Sequence, residues 1–271
     1  MRQLPQGPHL TKNTLYAAVA AALGTTMTDS RKAGLDVLLA ACEHANFGVR
    51  ETAYVLATAW HETAHTLQPI KEYGGVEYKR RLYDVTGDNP PRAKSMGNTE
   101  PGDGVRYAGR GYVQLTWKVN YKKAGDLIGV NLVDEPDRAM EPAVAAEVIV
   151  LGMRDGWFTG KKLSRYITET TTDYTGARRI VNGTDQASKI AQYATAFESA
   201  LKVEASAPVL RMGSRGPSVA ILQSFLGLKQ DFEFGPKTHL AVQAFQKSAG
   251  LLNDGVVGPA TWAALKAGRQ E

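Results

Sequence analysis

The stretch VRETAYVLATAWHETAHTL, Val49 to Leu67, decides how the rest of the chain is read. Ala53, Leu56, Ala57, Trp60, Ala64 and Leu67 recur every three or four residues, which predicts one long helix with a single apolar stripe against a core. On such a helix His61 and His65 stand together on a flank, with Glu62 beside them near the helix end. Two chemistries use this string. In one, two imidazoles four residues apart hold zinc and the glutamate between them activates water. In the other the glutamate alone matters, as the proton donor of a glycosidase.

A zinc centre needs a third protein ligand at a usable spacing. The position six residues after His65 is Lys71, while Glu72 and Glu77 fall in a turn containing Gly and Tyr, and Glu100 falls in a polar loop. His9, His44 and His239 have no motif around them and are expected to be structural or solvent-facing. No metal or other cofactor is therefore expected, and the second histidine of HETAH reads as a coincidence on a catalytic helix. Glycoside hydrolysis needs two carboxyl groups across a cleft. Glu72, in PIKEYGG ten residues after Glu62, is the first candidate for the second one, since a turn there could carry it to the opposite wall; Glu77 competes with it.

The 271 residues suffice for one large and one small domain, each with a core of its own. Hydrophobic residues at 43% and charged ones at 22% are globular values, which removes disorder as the default reading. The single cysteine, Cys42, lies in the apolar run LDVLLAAC, so the fold stands without an intramolecular disulfide and a packed thiol is expected. A formal net charge of +5 suits polyanionic surroundings such as wall polymers. Basic residues do not run together with aromatics, so no nucleic-acid partner is expected. LYAAVAAAL, Leu15 to Leu23, reads as a short buried helix rather than the core of a signal peptide, because its polar lead holds two prolines and little charge. No stretch approaches the roughly 18 apolar residues of a membrane span.

From Asp84 to Arg106 the chain is rich in Gly, Pro, Asn and Asp and is expected to be a long loop or lid. Helical patterns resume near Tyr121, Pro142 and Ser188. After the helix KIAQYATAFESAL, the small and polar KVEASAP (Lys202 to Pro208) reads as a linker, giving domains at 1–205 and 206–271. The second domain carries an internal repeat of 23 residues: Leu222 and Gln223 align with Phe245 and Gln246, Asp231 with Asp254, and FGPKT (Phe234 to Thr238) with VGPAT (Val257 to Thr261). Each unit offers an apolar helical stripe, a Gly-Pro turn and a Thr able to cap the next helix, which predicts a small helical domain from about Pro208 to Lys266.

Three ordered segments, AWHET (Ala59 to Thr63), YAGRGYVQLTWKVNY (Tyr107 to Tyr121) and RRIVNG (Arg178 to Gly183), resemble glycoside hydrolase family 19, the family of plant-type chitinases and of peptidoglycan-cleaving phage endolysins. SMGNTEPGDG (Ser95 to Gly104) is similar to the phage branch in particular. The resemblance implies a lysozyme-like fold, mainly α with a small hairpin (α+β). It implies Glu62 as general acid, Glu72 as general base and Thr116 as the hydroxyl that helps hold the attacking water. Gln114, Asn120 and Asn182 would line the sugar cleft, with His61, Tyr107 and Arg110 beside the substrate. Arg110, between two glycines, would be buried in a turn and steady a catalytic carboxylate, while Tyr107 and Tyr121 are open between core and substrate platform. LRMGSRGPSVAILQSFL and DGVVGPATWAAL resemble the peptidoglycan-binding domain of wall hydrolases. Phe232 departs from that family at the position where the second copy keeps Gly255, which questions the shape of the first turn. From Ser206 to Glu271 there are seven basic and four acidic residues, +3 of the total +5, which suits an acidic wall.

These readings converge on an endolysin that hydrolyses the β-1,4 bonds of peptidoglycan by an inverting two-carboxylate mechanism. Its expected partners are the glycan strands, with no membrane insertion and a monomeric state. It is expected to be made in a host cytoplasm without a signal peptide and to reach the wall after release. A chitinase is the rival within the same chemistry; a zinc metallopeptidase and a non-catalytic wall adhesin are the rivals outside it.

Overall fold

A computed structural model describes residues 12–168, 170–205 and 208–267; His9, and Ser206 and Ala207 of the expected linker, lie outside them. Helices α1 (Lys12–Leu23), α2 (Asp29–His44) and α3 (Val49–Glu62) lead into strand β1 (Ile70–Lys71), helices α4 (Val76–Tyr83), α5 (Pro90–Ser95) and α6 (Asp103–Arg106), and strand β2 (Arg110–Gly111). Then follow α7 (Lys118–Ile128), α8 (Pro142–Asp155), α9 (Tyr174–Ala177), α10 (Ala187–Ala205), α11 (Pro217–Phe225), α12 (Pro236–Ser248) and α13 (Pro259–Ala267). The fold is mainly helical, with β1 and β2 paired antiparallel, Ile70 opposite Gly111 and Lys71 opposite Arg110. Two compact units divide the chain: Val19–Ser199 is one, and residues up to Ala18 together with those from Ala200 onward make the other.

Leu15 to Leu23 lies in α1, where Val19 is fully buried. Among the described residues no helix is long and apolar enough to cross a membrane. The helix α10 continues through Lys202 to Ala205, so most of the expected linker is helical. Leu201 is buried, and neither Gly nor Pro intervenes before Pro208 to stop the helix.

In the first unit α2, α3 and α8 pack pairwise. Helix α3 is the central one, with every residue from Thr52 to Trp60 buried. It begins where the Glu51 carboxylate accepts the Gly48 N–H at 2.7 Å. It ends sooner than the apolar stripe predicts. Thr63 turns its hydroxyl back onto the Ala59 carbonyl at 2.7 Å and accepts the Leu67 N–H at 3.0 Å. Ala64, His65 and Leu67 then take left-handed backbone angles (φ 49°, 68° and 54°), a conformation costing about 1–2 kcal/mol for each non-glycine residue. Leu67 is buried as expected, but by a turn rather than by the helix. Cys42 on α2 is a packed thiol, and burial pushes its pKa up to about 12.

The segment from Asp84 to Arg106 is built, not loose. Buried Asp84 accepts the N–H groups of Gly102 and Gly104 at 2.8 and 3.0 Å and the Thr86 hydroxyl at 2.8 Å. A Cβ on Gly104 would lie 2.6 Å from the Asp84 nitrogen, so the close approach requires glycine. Asn98, fully buried, donates to the Tyr83 carbonyl and accepts the Lys118 N–H. Asp103 accepts from Thr99 and Glu100 N–H and pairs with Lys118 at 3.4 Å. The Gly, Asn and Asp that suggested a loop or lid are the caps and clamps of α5 and α6.

The C-terminal three-helix core is Leu210, Val219, Leu222, Phe234, Val242, Val257, Trp262 and Leu265. The sequence repeat is a repeat of hydrogen bonds. Gln223 Nε2 donates to Asp231 at 2.6 Å, to the Glu233 carbonyl at 3.0 Å and to the Thr238 hydroxyl at 3.0 Å. Twenty-three residues on, Gln246 Nε2 makes the same three bonds, to Asp254 at 2.9 Å, the Val256 carbonyl at 3.0 Å and Thr261 at 3.1 Å. Phe232 leaves the turn unchanged, since its φ of 65° matches the 69° of Gly255. Where a Cβ on Gly255 would strike His239 at 2.1 Å, the first copy has Gly216 in the position of His239, so the bulky residue has changed sides.

Candidate active site

Glu62 closes the last turn of α3, and its Oε1 lies 2.5 Å from Nη1 of Arg178. That guanidinium is 3% exposed, and its Nε donates to the Asp185 carbonyl at 3.0 Å. A buried arginine must spend its donors on fixed acceptors. The 3-10 turn Arg178–Ile180 aims this one at the end of α3, leaving the Glu62 side chain 20% exposed. His61 is half-buried, and desolvation holds its imidazole below the usual value against the raising effect of Glu62.

His65 does not join them on a helical face. Past the end of α3 its N–H returns to the Trp60 carbonyl at 2.8 Å, its ring stacks on the Trp60 indole at 4.9 Å, and its Nε2 lies 3.0 Å from the Tyr193 hydroxyl. The paired imidazoles of a zinc helix are thus not presented, and among the described residues no three His, Cys, Asp or Glu side chains gather as a metal cage.

Glu72 follows β1 directly. Its backbone N–H reaches the Gly109 carbonyl at 2.8 Å, and its Oε2 accepts the Gly109 N–H at 3.0 Å. A Cβ on Gly109 would sit 2.7 Å from Gln114 Oε1 and 3.2 Å from Glu72 Oε2, so a side chain here would press on both the amide and the carboxylate. Oε1 of Glu72 accepts the Tyr83 hydroxyl at 2.6 Å. Gln114, at φ 54°, donates to the Ile70 carbonyl at 3.1 Å. Thr116 gives its hydroxyl proton to the Gln114 carbonyl at 2.7 Å, and Asn120 donates to the Thr116 carbonyl at 2.8 Å. Glu72, Gln114, Thr116 and Asn120 are therefore brought together by the β1–β2 pair, the turn after β2 and the start of α7. Asn182 is exposed, four residues past Arg178, with its N–H on the Arg178 carbonyl. Glu77 is exposed in the first turn of α4 and pairs with Arg80, whose hydrogen bond holds the carboxyl below its ordinary range.

Two expected substrate contacts are internal. Tyr107 is 1% exposed, donates to the Val133 carbonyl at 3.1 Å and belongs to the core with Tyr121. Arg110 steadies Asp137, at 2.8 Å, and not Glu62 or Glu72. Its Nη1 is taken by the carbonyls of Arg106 and Ala108 and by the Tyr121 hydroxyl. Lys71 joins Asp137 from the far side and, with Arg110, holds it below its ordinary value. The carboxylate-steadying arginine is instead Arg178. It stands inside the quoted RRIVNG segment, but nothing in the spacing singles it out. Tyr83 is the second residue that sequence reasoning missed.

Residues 33–161 match the glycoside hydrolase family 19 profile, described as chitinase class I, and residues 216–265 match that of a peptidoglycan binding domain. The chain thus carries a family 19 domain followed by a peptidoglycan-binding domain. Among similar proteins, the "Uncharacterized protein in bpoA1 3'region" of Kitasatospora aureofaciens is 45% identical over 67 residues, 22% of this chain and 57% of that protein. Endochitinase 2 of Gossypium hirsutum is 39% identical over 94 residues, 32% of this chain and 29% of the endochitinase. The chain therefore spans little more than half of the first relative and under a third of the second. Chitinase C from Streptomyces griseus HUT6037 shares the fold, with a TM-score of 0.50 at 23% identity over 74% of this chain and 79% of that one.

Proposed function

We propose that this protein is an endolysin, a glycoside hydrolase that cuts the β-1,4 bonds of peptidoglycan while its C-terminal domain holds it to the wall. The observation that carries the reading is the union in one chain of a family 19 domain, with two carboxylates each held by fixed donors, and a peptidoglycan-binding domain. Arg178 occupies Oε1 of Glu62, which leaves Oε2 to carry the proton to the glycosidic oxygen. Each oxygen of Glu72 accepts one hydrogen bond and keeps a lone pair for water. Thr116 spends its proton on Gln114, so its oxygen accepts from that same water. Proton donation by Glu62 and water activation by Glu72 on opposite faces invert the anomeric carbon. Asn120 and Asn182 complete the polar wall against hydroxyl and N-acetyl groups. A phage protein released to the wall through membrane holes fits this reading.

A second reading is favoured by the endochitinases among the similar proteins: the same carboxylates acting on a β-1,4-N-acetylglucosamine polymer. Parallel digestion of purified peptidoglycan and of chitin, with mass analysis of the soluble products and NMR of the first anomer formed, tests both. Muropeptides with new reducing sugar ends in the α form are expected. Chitin fragments alone would replace the substrate, and new amino groups without reducing ends would overturn the glycosidase.

A further inference from the structure

Tyr83 ends α4 at the border of the hairpin, and three separate parts of the chain converge on it. Trp117 meets its ring edge-on, with centroids 5.0 Å apart and planes at 83°. Trp117 itself has a φ of 79°, an outlying conformation for a bulky residue, anchored by its N–H on the Tyr107 carbonyl at 2.9 Å. Arg92 from α5 covers the indole at 5.5 Å. Asn98 donates to the Tyr83 carbonyl at 2.9 Å. The strained backbone at Trp117 follows Thr116 directly, so one local distortion both seats the indole against the phenol and turns the chain from Thr116 into α7. Backbone strain held by surrounding contacts marks a constrained site.

We propose that Tyr83 is a positioning residue of this site: its hydroxyl, seated by Trp117, donates to Oε1 of Glu72 while the Gly109 N–H holds Oε2, and the two donors together set the direction in which the carboxylate meets water. This rests on the reading of Glu72 as general base. Glu72 lies just past a short strand and is followed by Tyr73, Gly74 and Gly75, a segment with little packing of its own: Tyr73 is 76% exposed. Among the described residues, removal of the Tyr83 hydroxyl leaves the Gly109 N–H as the hydrogen bond that holds this carboxylate. Burial, and then the hydrogen bond to Glu72, push the phenol well above its ordinary value, so its proton is held for donation to the carboxylate. Arg92, Tyr78 and Glu72 are the charged or titratable groups that act on it.

The test is a four-cornered cycle of the full-length protein, Tyr83→Phe, Glu72→Gln and the double variant, with kcat and KM measured on soluble wall glycan. Tyr83→Phe keeps the ring against Trp117 and removes one hydrogen bond to a charged group. We expect kcat to fall about ten- to a hundredfold, with KM changed by no more than about twofold. In the Glu72→Gln background, followed by prolonged incubation, the same change should lower kcat no further, because the group it acts through is gone. Trp117→Phe, which shortens the edge contact but leaves the phenol, should give a smaller kcat loss that also disappears in that background. Losses that multiply across the cycle, or a change confined to KM, overturn the positioning role and leave the reading of Glu72 intact. Full activity of Glu72→Gln overturns that reading, and the inference with it.

Discussion

Replacing Glu62 by Gln separates the pairing with Arg178, which the structure shows, from the proton donation that the proposed mechanism assigns to this side chain. Removing one partner of a buried pair costs about 3–5 kcal/mol. Here the amide oxygen can still accept from Nη1, and the side chain is 20% exposed, so the expected cost is nearer about 1–2 kcal/mol. For a chain of this size that lowers the melting temperature by about 3–6 °C, well within a typical stability of about 5–15 kcal/mol. The loss of the proton donor is larger: about a hundred- to ten-thousandfold in rate, or about 2.7–5.5 kcal/mol of barrier. Glu62→Gln should therefore be folded, slightly less heat-stable and nearly inactive in the release of reducing ends from purified walls. On a glycoside whose leaving group needs no protonation it should recover most of its rate. Near-normal release from natural walls would refute the assignment, because no other part of the mechanism can replace that proton. Inactivity on both substrates with a collapsed melting curve would show that Arg178 pairing, not chemistry, is what Glu62 provides.

Glu77→Gln should change neither activity nor stability measurably, since an exposed i,i+3 pair with Arg80 contributes little; a loss of wall lysis equal to that of Glu72→Gln would transfer the role of base to Glu77. The Asp84 carboxylate is held below its ordinary 3.8: burial raises it, but hydrogen bonds from Gly104, Thr86 and Gly102 outweigh that. A depressed carboxyl stabilises above its unfolded value and loses that contribution as pH falls through the folded one. The melting temperature should accordingly hold from pH 7 to 5 and fall below about pH 4, and Asp84→Asn should remove part of that fall; identical pH dependence in both proteins would dismiss the clamp. A chain ending at Ala205 should still cut soluble glycan but stay in the supernatant when walls are sedimented; undiminished co-sedimentation would move wall binding to the first domain.

Periodicity revealed elements wherever burial repeats, and failed where the chain stops repeating. The stripe from Ala53 to Trp60 is legible because a buried helix must show apolar residues at that spacing. The end of α3 is not, because Ala64, His65 and Leu67 turn left-handed without a glycine to announce it. Asp84, Asn98 and Asp103 were visible as loop formers, yet composition alone does not tell a polar residue that solvates a loop from one that clamps it. The spacing of Gln, Asp and Thr was legible, since equal spacing along the chain produces equal hydrogen bonds in space, but the Thr expected to cap the next helix lies inside it and accepts from the Gln amide instead.

The site shows the same division more sharply. Both carboxylates stand in local motifs and could be named from them, but what orients each comes from elsewhere in the chain. Arg178 reaches Glu62 across 116 positions, and Gly109 reaches Glu72 across 37. Arg110 and Tyr107 lie in the same short motif as Gly109, yet one pairs with Asp137 and the other packs inside, because a buried guanidinium and a buried phenol are claimed first by the nearest unsatisfied carbonyls. A motif therefore specifies which residues are near the chemistry. Their roles follow only from which donors and acceptors remain unspent once the backbone has been satisfied. By that criterion Glu72 and Thr116 keep acceptor capacity for water and Glu62 keeps one carboxyl oxygen clear of Arg178, whereas Arg110 and Tyr107 have already committed donors to the fold.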